Sequence, residues 1–359
     1  MAKKVTRRQG GAPTISDVAA RAGVSAMTVS RVINGEARVR SETREAVHAA
    51  IAELRYAPNP AAQALAGASQ IRIGLLYSNP SAAYLSAFLV GSLDSASRSN
   101  IQLIVEKCER DDDHEAEIAR RLIEGGMDGL ILPPPLCDSP AILSVLAENP
   151  VPAVAVATAR EEGPVSSVGI DDFHAAEAMT RHLVDLGHRR IGIILGSPDL
   201  SASARRLEGY RAALAAAGLE TSDALIAPGL FTYRSGLEAA ERLLDLAEPP
   251  TAIFASNDDM AAAAVAVAHR RGLDVPGDLT VCGFDDTTIA TTVWPELTTV
   301  HQPIGDMSRA AVELLLEAVR ARRAGTAFPA RRLLLDYALV RRKSDAAPRR
   351  PGRRRRPRA

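Results

Sequence analysis

Seven short apolar runs constrain this chain more than any other feature. They occupy 71–76, 101–105, 129–132, 153–156, 190–195, 252–255 and 280–284. Helix-length segments separate them, among them 175–186, 206–217 and 259–271. Runs that are continuously apolar, rather than alternating, suit strands buried on both faces. Strand–helix alternation predicts an α/β region with parallel sheets and helices on both faces. At about 270 residues the region is too large for one comfortable core, so two lobes are expected.

Ligands in such folds bind beyond the carboxyl ends of the strands, which makes the residues just after each run the candidates. Ser78 and Asn79 follow the first run, with Tyr84 beyond. Gly196-Ser197-Pro198 leads to Arg206, Ser256-Asn257-Asp258 follows 252–255, and Asp285-Asp286 follows 280–284. Thr299-Val300-His301-Gln302-Pro303 closes the series. A carboxylate, an amide and a guanidinium at strand ends suit a ligand rich in hydroxyls. Tyr84 or Phe231 would cover its apolar face.

The first sixty residues follow another grammar. Thr14-Ile15-Ser16-Asp17 has the form of a capping box, and Gly23 ends the helix it opens. Ser25 caps a second helix over 26–33, and Asn34-Gly35 closes it. Ser41 opens a third, with Val47, Ile51 and Leu54 on one face. Two short helices about a Gly-containing turn, braced by a third, describe a helix-turn-helix. Val29 and Val32 face its core, leaving Ala26, Met27, Ser30 and Arg31 outward to meet bases or phosphates. Between the two regions, Asn59-Pro60 through Gly67 reads as a capped helix too short to stand alone in water.

A formal net charge of zero conceals a division. Residues 1–69 carry 10 basic and 5 acidic side chains, 344–359 carry 7 and 1, and 70–343 carry 26 and 37. Basic ends suit a polyanion, and an acidic centre does not. The Arg-rich segment 344–359 is expected to be disordered, with the fold ending at Lys343. Three isolated cysteines, Cys108, Cys137 and Cys282, argue for reduced thiols in a cytoplasm and against a disulfide frame or zinc site. There is no apolar run of membrane-spanning length. No secretory signal, phosphate loop, metal spacing or nucleophile–base pair is apparent, so neither a cofactor nor an enzyme is expected. A solute-binding protein or a sugar-acting enzyme, in which Asp285 and His301 would pair, is the alternative class.

From Thr14 to Lys343 the chain resembles the lactose repressor/purine repressor family. The phrases carrying the likeness are Thr14–Ala19, Gly23-Val24-Ser25, Thr28–Asn34, Thr43-Arg44 and Tyr56–Asn59. Further along they are Leu186–Ile191, Arg206–Tyr210, Ser256–Met260, Gly283–Asp286 and Leu297–Pro303. Periplasmic sugar-binding proteins are similar at greater distance. The resemblance implies a homodimer that binds a pseudo-palindromic operator and answers to a small effector, a sugar or sugar derivative, with a nucleobase as the alternative. It places Ala26, Met27 and Arg31 on bases, with Arg31 the one bidentate reader. It places Thr14, Ser25, Thr28, Asn34, Arg38 and Thr43 near phosphates, adds Ser30 and Tyr56 to the DNA-facing set, and makes Leu65 a minor-groove wedge flanked by Asn59, Gln63 and Ala66. The effector set it implies is Ser78, Asn79, Tyr84, Arg206, Phe231, Asn257, Asp285 and Gln302. Ala157 stands where the family often has an acid or amide. The implied domains are a basic arm at 1–13, a helix-turn-helix at 14–58, a hinge at 59–69 and a two-lobed effector and dimerisation core at 70–343. Lobe 1 takes 70–169 and 302–329, and lobe 2 takes 170–301 and 330–343.

Overall fold

The computed structural model describes residues 13–33, 39–54, 56, 70–160 and 163–349. It divides into two compact units, Met1–Gln70 and Ile71–Ala359. In the first unit, helices α1 (Ile15–Ala22), α2 (Ala26–Ile33) and α3 (Ser41–Leu54) pack around Val18, Val29, Val32 and Val47. Thr14 caps α1 with both hydrogen bonds of the capping box formed, and Gly23 ends it at φ 67°. Ser25 Oγ accepts the Thr28 N–H at 3.2 Å at the start of α2.

The second unit holds two six-stranded sheets. Lobe 1 contains β1 (Ile71–Tyr77), α4 (Ala82–Arg98), β2 (Ile101–Lys107), α5 (Asp112–Glu124), β3 (Gly129–Leu132), α6 (Pro140–Glu148), β4 (Ala153–Val156) and β5 (Ser166–Gly169). Lobe 2 contains α7 (Asp172–Asp185), β6 (Ile191–Ile194), α8 (Ser201–Ala216), β7 (Ile226–Ala227), α9 (Tyr233–Leu244), β8 (Ala252–Ala255), α10 (Asp258–Arg270), β9 (Thr280–Asp285), α11 (Thr288–Thr292) and β10 (Thr298–His301). The chain returns to lobe 1 through α12 (Ile304–Arg323) and β11 (Arg332–Leu334), then crosses again to β12 (Ala338–Val340). Strand order is β11-β5-β4-β3-β1-β2 in one sheet and β12-β10-β9-β8-β6-β7 in the other. All pairings are parallel except β12 with β10, which is antiparallel.

All seven apolar runs are strands, and β3, β4, β6 and β8 are buried throughout. Two expectations need correcting. The last crossing lies after Leu334 rather than at 330, because β11 pairs with β5. The fold also continues past Lys343, since Ser344 and Asp345 are buried. Ser344 Oγ accepts the Thr298 N–H at 2.8 Å, and Asp345 accepts from His182 at 2.8 Å and Thr298 Oγ1 at 2.5 Å. Arg349 pairs with Asp274. Residues 344–349 are thus part of lobe 2, bonded to the amino-terminal ends of its strands.

The Asp345 carboxyl is depressed to about 2: hydrogen bonds from His182 and Thr298, together with the Arg341 charge, outweigh its burial. The folded-state value lies below the unfolded one, so its stabilisation is complete above about pH 4 and disappears as pH falls through 2. Asp345→Asn is expected to lower unfolding free energy at pH 7 by about 1–2 kcal/mol, the loss shrinking toward pH 2. Urea melts at a series of pH values check this, and a pH-independent difference would contradict it.

Candidate functional site

A cavity of about 470 Å³ opens at the carboxyl ends of both sheets. Ser78 and Asn79 enter it after β1, and Tyr84 from the first turn of α4. Lobe 2 contributes Arg206 from α8, Phe231, Asn257 after β8, Asp285 at the end of β9 and Gln302 after β10. Every effector residue implied by the resemblance lines this one cavity. Sequence reading missed Ser81, Arg110, Pro134, Pro135, Leu200 and Leu230, which also line it. Arg110 follows β2 and the prolines follow β3, so the strand-end rule would have found them.

Arg206 organises the polar wall. Its Nε donates to Asp172 Oδ1 at 2.8 Å and its Nη1 to the Ser256 carbonyl at 2.5 Å. The guanidinium carbon lies 3.6 Å from the centre of the Phe284 ring. Arg206 is buried, and its acidic partner is Asp172 rather than nearby Glu208, which pairs with Arg205. Burial pushes the Asp285 carboxyl well above the usual range, with the Arg206 charge opposing it. Asp172 is raised for the same reason, again opposed by Arg206. Asp285 Oδ1 accepts from Gln302 Nε2 at 3.0 Å.

Asn257 serves the fold as well as the cavity. Its Oδ1 caps α10 by accepting the Met260 N–H at 2.9 Å, and its Nδ2 donates to the Phe231 carbonyl at 3.0 Å. Asp258 turns away from the cavity. It accepts from Thr287 N at 2.7 Å and Thr299 Oγ1 at 2.7 Å, and burial raises it to about 7. Tyr84 Oη and Gln302 Oε1 are buried without a hydrogen-bond partner among the described residues. Three cavity residues that are not glycine, Ala157, Phe231 and Asp285, hold positive φ of 56°, 59° and 101°. Such strain concentrates where a site must be pre-shaped. His301 bonds to Asp286 at 3.1 Å, not to Asp285, and Asp286 is also bound by Arg342 at 2.6 Å.

In the first unit, Ala26, Met27 and Arg31 are exposed on α2, while Val29 and Val32 are buried. Met27 is 66% exposed, unusual for so apolar a side chain. Ser30, Thr28 and Thr43 are partly exposed, and Thr14 and Ser25 are exposed at their caps. Tyr56 is half-buried against the three-helix core. Asn34, Arg38, Asn59, Leu65 and Ala66, and with them the hinge, lie outside the described residues.

Arg206→Lys should remove the planar stack on Phe284 and leave Asp172 poorly matched. A loss of about 3 kcal/mol in unfolding free energy is expected, as for a broken buried pair. Denaturant titration checks this, and a loss below about 0.5 kcal/mol would place Arg206 among ordinary surface charges.

Two family models match the chain. The one described as bacterial regulatory proteins, lacI family, covers residues 14–59, and the one described as periplasmic binding protein-like domain covers 180–344. Catabolite control protein A of Priestia megaterium is 36% identical over 84% of this chain and 91% of its own. The HTH-type transcriptional regulator CelR of Thermobifida fusca is 37% identical over 92% and 97%. Among solved structures, a CelR–cellobiose complex is similar at TM-score 0.70 and 35% identity, over 92% of this chain and 99% of that one. The lac repressor dimer bound to operator and the anti-inducer ONPF is similar at TM-score 0.76 and 30% identity, over 94% and 100%.

Proposed function

We propose that this chain, which belongs to the LacI family of bacterial regulatory proteins, is a cytoplasmic homodimeric repressor whose affinity for a pseudo-palindromic operator is set by a sugar or sugar derivative held between its lobes. The observation that carries the effector half is the polar wall of the cavity. Arg206 and Asp285 offer a donor and an acceptor side by side, and Tyr84 Oη and Gln302 Oε1 are buried beside them with no hydrogen-bond partner among the described residues. Vicinal hydroxyls, each both donor and acceptor, satisfy such a set. Phe231 and Tyr84 supply the apolar cover that a sugar ring face needs. The CelR–cellobiose complex supports the same ligand class.

The DNA half rests on α2. Its outer face presents Met27 and Arg31 with short Ala26 between them and the caps, which allows close approach to base edges. The joint at 59–69 is too short to hold a helix alone, so two copies in a dimer would support one another, with Leu65 wedged into the minor groove. A change in lobe closure would alter their spacing and release or tighten them. Binding rather than turnover is supported by the pairing of His301, which bonds to Asp286, itself held by Arg342, and not to Asp285.

Thermal-shift measurements on the full chain with cellobiose, monosaccharides and purines test the ligand class. A sugar at a hundred times its Kd is expected to add about 2.7 kcal/mol of stability. Stabilisation by purines alone would overturn the sugar assignment. On the DNA side, Arg31→Ala should weaken operator binding by about 1–3 kcal/mol and relax the preference at one base pair. Leu65→Ala should weaken operator binding while sugar binding stays intact, and unchanged operator affinity would remove the wedge.

A further inference from the structure

The helix that carries Arg206 takes its amino-terminal cap from the other lobe. Leu200 occupies the N-cap position of α8 and makes no side-chain hydrogen bond there. The first N–H of the helix, on Ser201, donates instead to Asp138 Oδ2 at 2.8 Å, and Ser201 Oγ donates to the same oxygen at 2.7 Å. Asp138 belongs to lobe 1, in the short turn Leu136–Asp138 that follows β3. Its other oxygen accepts from Thr158 Oγ1 at 2.6 Å and from Arg160 Nε at 3.1 Å, both in lobe 1. The Ala159 N–H of lobe 1 donates to Ser201 Oγ at 2.8 Å and closes the network.

This carboxylate is buried and has both oxygens engaged, one toward each lobe. A carboxylate at a helix amino terminus satisfies free N–H groups and is favoured by the helix dipole. Its hydrogen bonds are charge-assisted. Among the described residues, two other polar links cross the same cleft, Ser81 Oγ to Asp259 at 2.6 Å and Arg110 to Asp199 at 3.3 Å. Neither ends on the backbone of α8. Separating the lobes by more than a hydrogen-bond length would therefore strip the first turn of α8 of its acceptor, five residues before Arg206.

We propose that Asp138 is an inter-lobe cap, coupling closure of the two lobes to order in the first turn of the helix that holds Arg206. It is thereby a positioning residue for the effector cavity. That last step rests on the function proposed above, whereas the coupling does not.

Hydrogen exchange on the full-length protein without ligand or DNA tests the coupling, read at the Ser201 amide and across residues 200–206. Asp138→Ala is expected to speed exchange there about tenfold, as loss of a charge-assisted cap requires. Asp138→Asn keeps the shape, removes the charge and turns a donor toward Ser201 or Arg160, so the same local rise is expected if Asp138→Ala folds poorly. Ser201→Ala keeps the amide donor and should retain most of the protection. Wild-type exchange at 200–206 in Asp138→Asn would overturn the proposal. So would a rise spread evenly over both lobes, which is the signature of general destabilisation. No effector enters the measurement, so failure of the sugar assignment and failure of the cap are read separately.

Discussion

A guanidinium taken out of water needs charge and hydrogen bonds in return, and the neighbourhood of Arg206 is arranged to provide them. Asp172 supplies the counter-charge, the Ser256 carbonyl a second acceptor, and the Phe284 ring a flat apolar surface against its face. Such a pair is a poor way to gain stability, because apolar side chains of similar volume often hold a core as well or better. What an apolar replacement would lack is a donor fixed at the cavity wall. The same reasoning covers Asp285, whose burial disfavours its charge and whose Gln302 and Arg206 neighbours oppose that penalty. The polar wall is thus held in place before any ligand arrives.

Backbone geometry pulls in the same direction. Ala157, Phe231 and Asp285 each hold a left-handed conformation at a cost of about 1–3 kcal/mol. Close packing maintains it for Phe231. A Cβ at Gly196 would fall 1.8 Å from Phe231 Cζ, so the absence of a side chain there makes room for the ring. The Asn257 amide then ties down the Phe231 carbonyl. One asparagine in this way caps α10 and fixes the aromatic lid of the site.

The cavity was legible in the sequence because it obeys a rule of topology. Parallel strands end together, so residues that follow them meet whatever their separation along the chain. Ser78, Asn79, Asn257, Asp285 and Gln302 could be read from that rule, Arg206 and Tyr84 lie further beyond strand ends, and Phe231 was a candidate as an aromatic cover. The strands β5, β7, β10, β11 and β12 were not among the seven apolar runs, for local reasons. Ser166–Gly169 has little apolar character, Ile226–Ala227 is two residues long, and Arg332–Leu334 is an exposed edge. The segment 344–349 escaped because arginine and proline dominate the residues after it, and composition cannot reveal that Ser344 and Asp345 find partners in lobe 2.

The sequence by itself determined the periodic features: three helices, the first two capped as read, with one exposed reading face, buried parallel strands, and polar residues at strand ends. Each depends on neighbours a few residues away, where propensity and capping operate. Tertiary structure alone decided the pairings. Arg206 chose Asp172 over adjacent Glu208, His301 chose Asp286 over Asp285, and α8 took its cap from Asp138 across the cleft. Those choices turn on distances between segments far apart in the chain, and on which charges burial leaves without water.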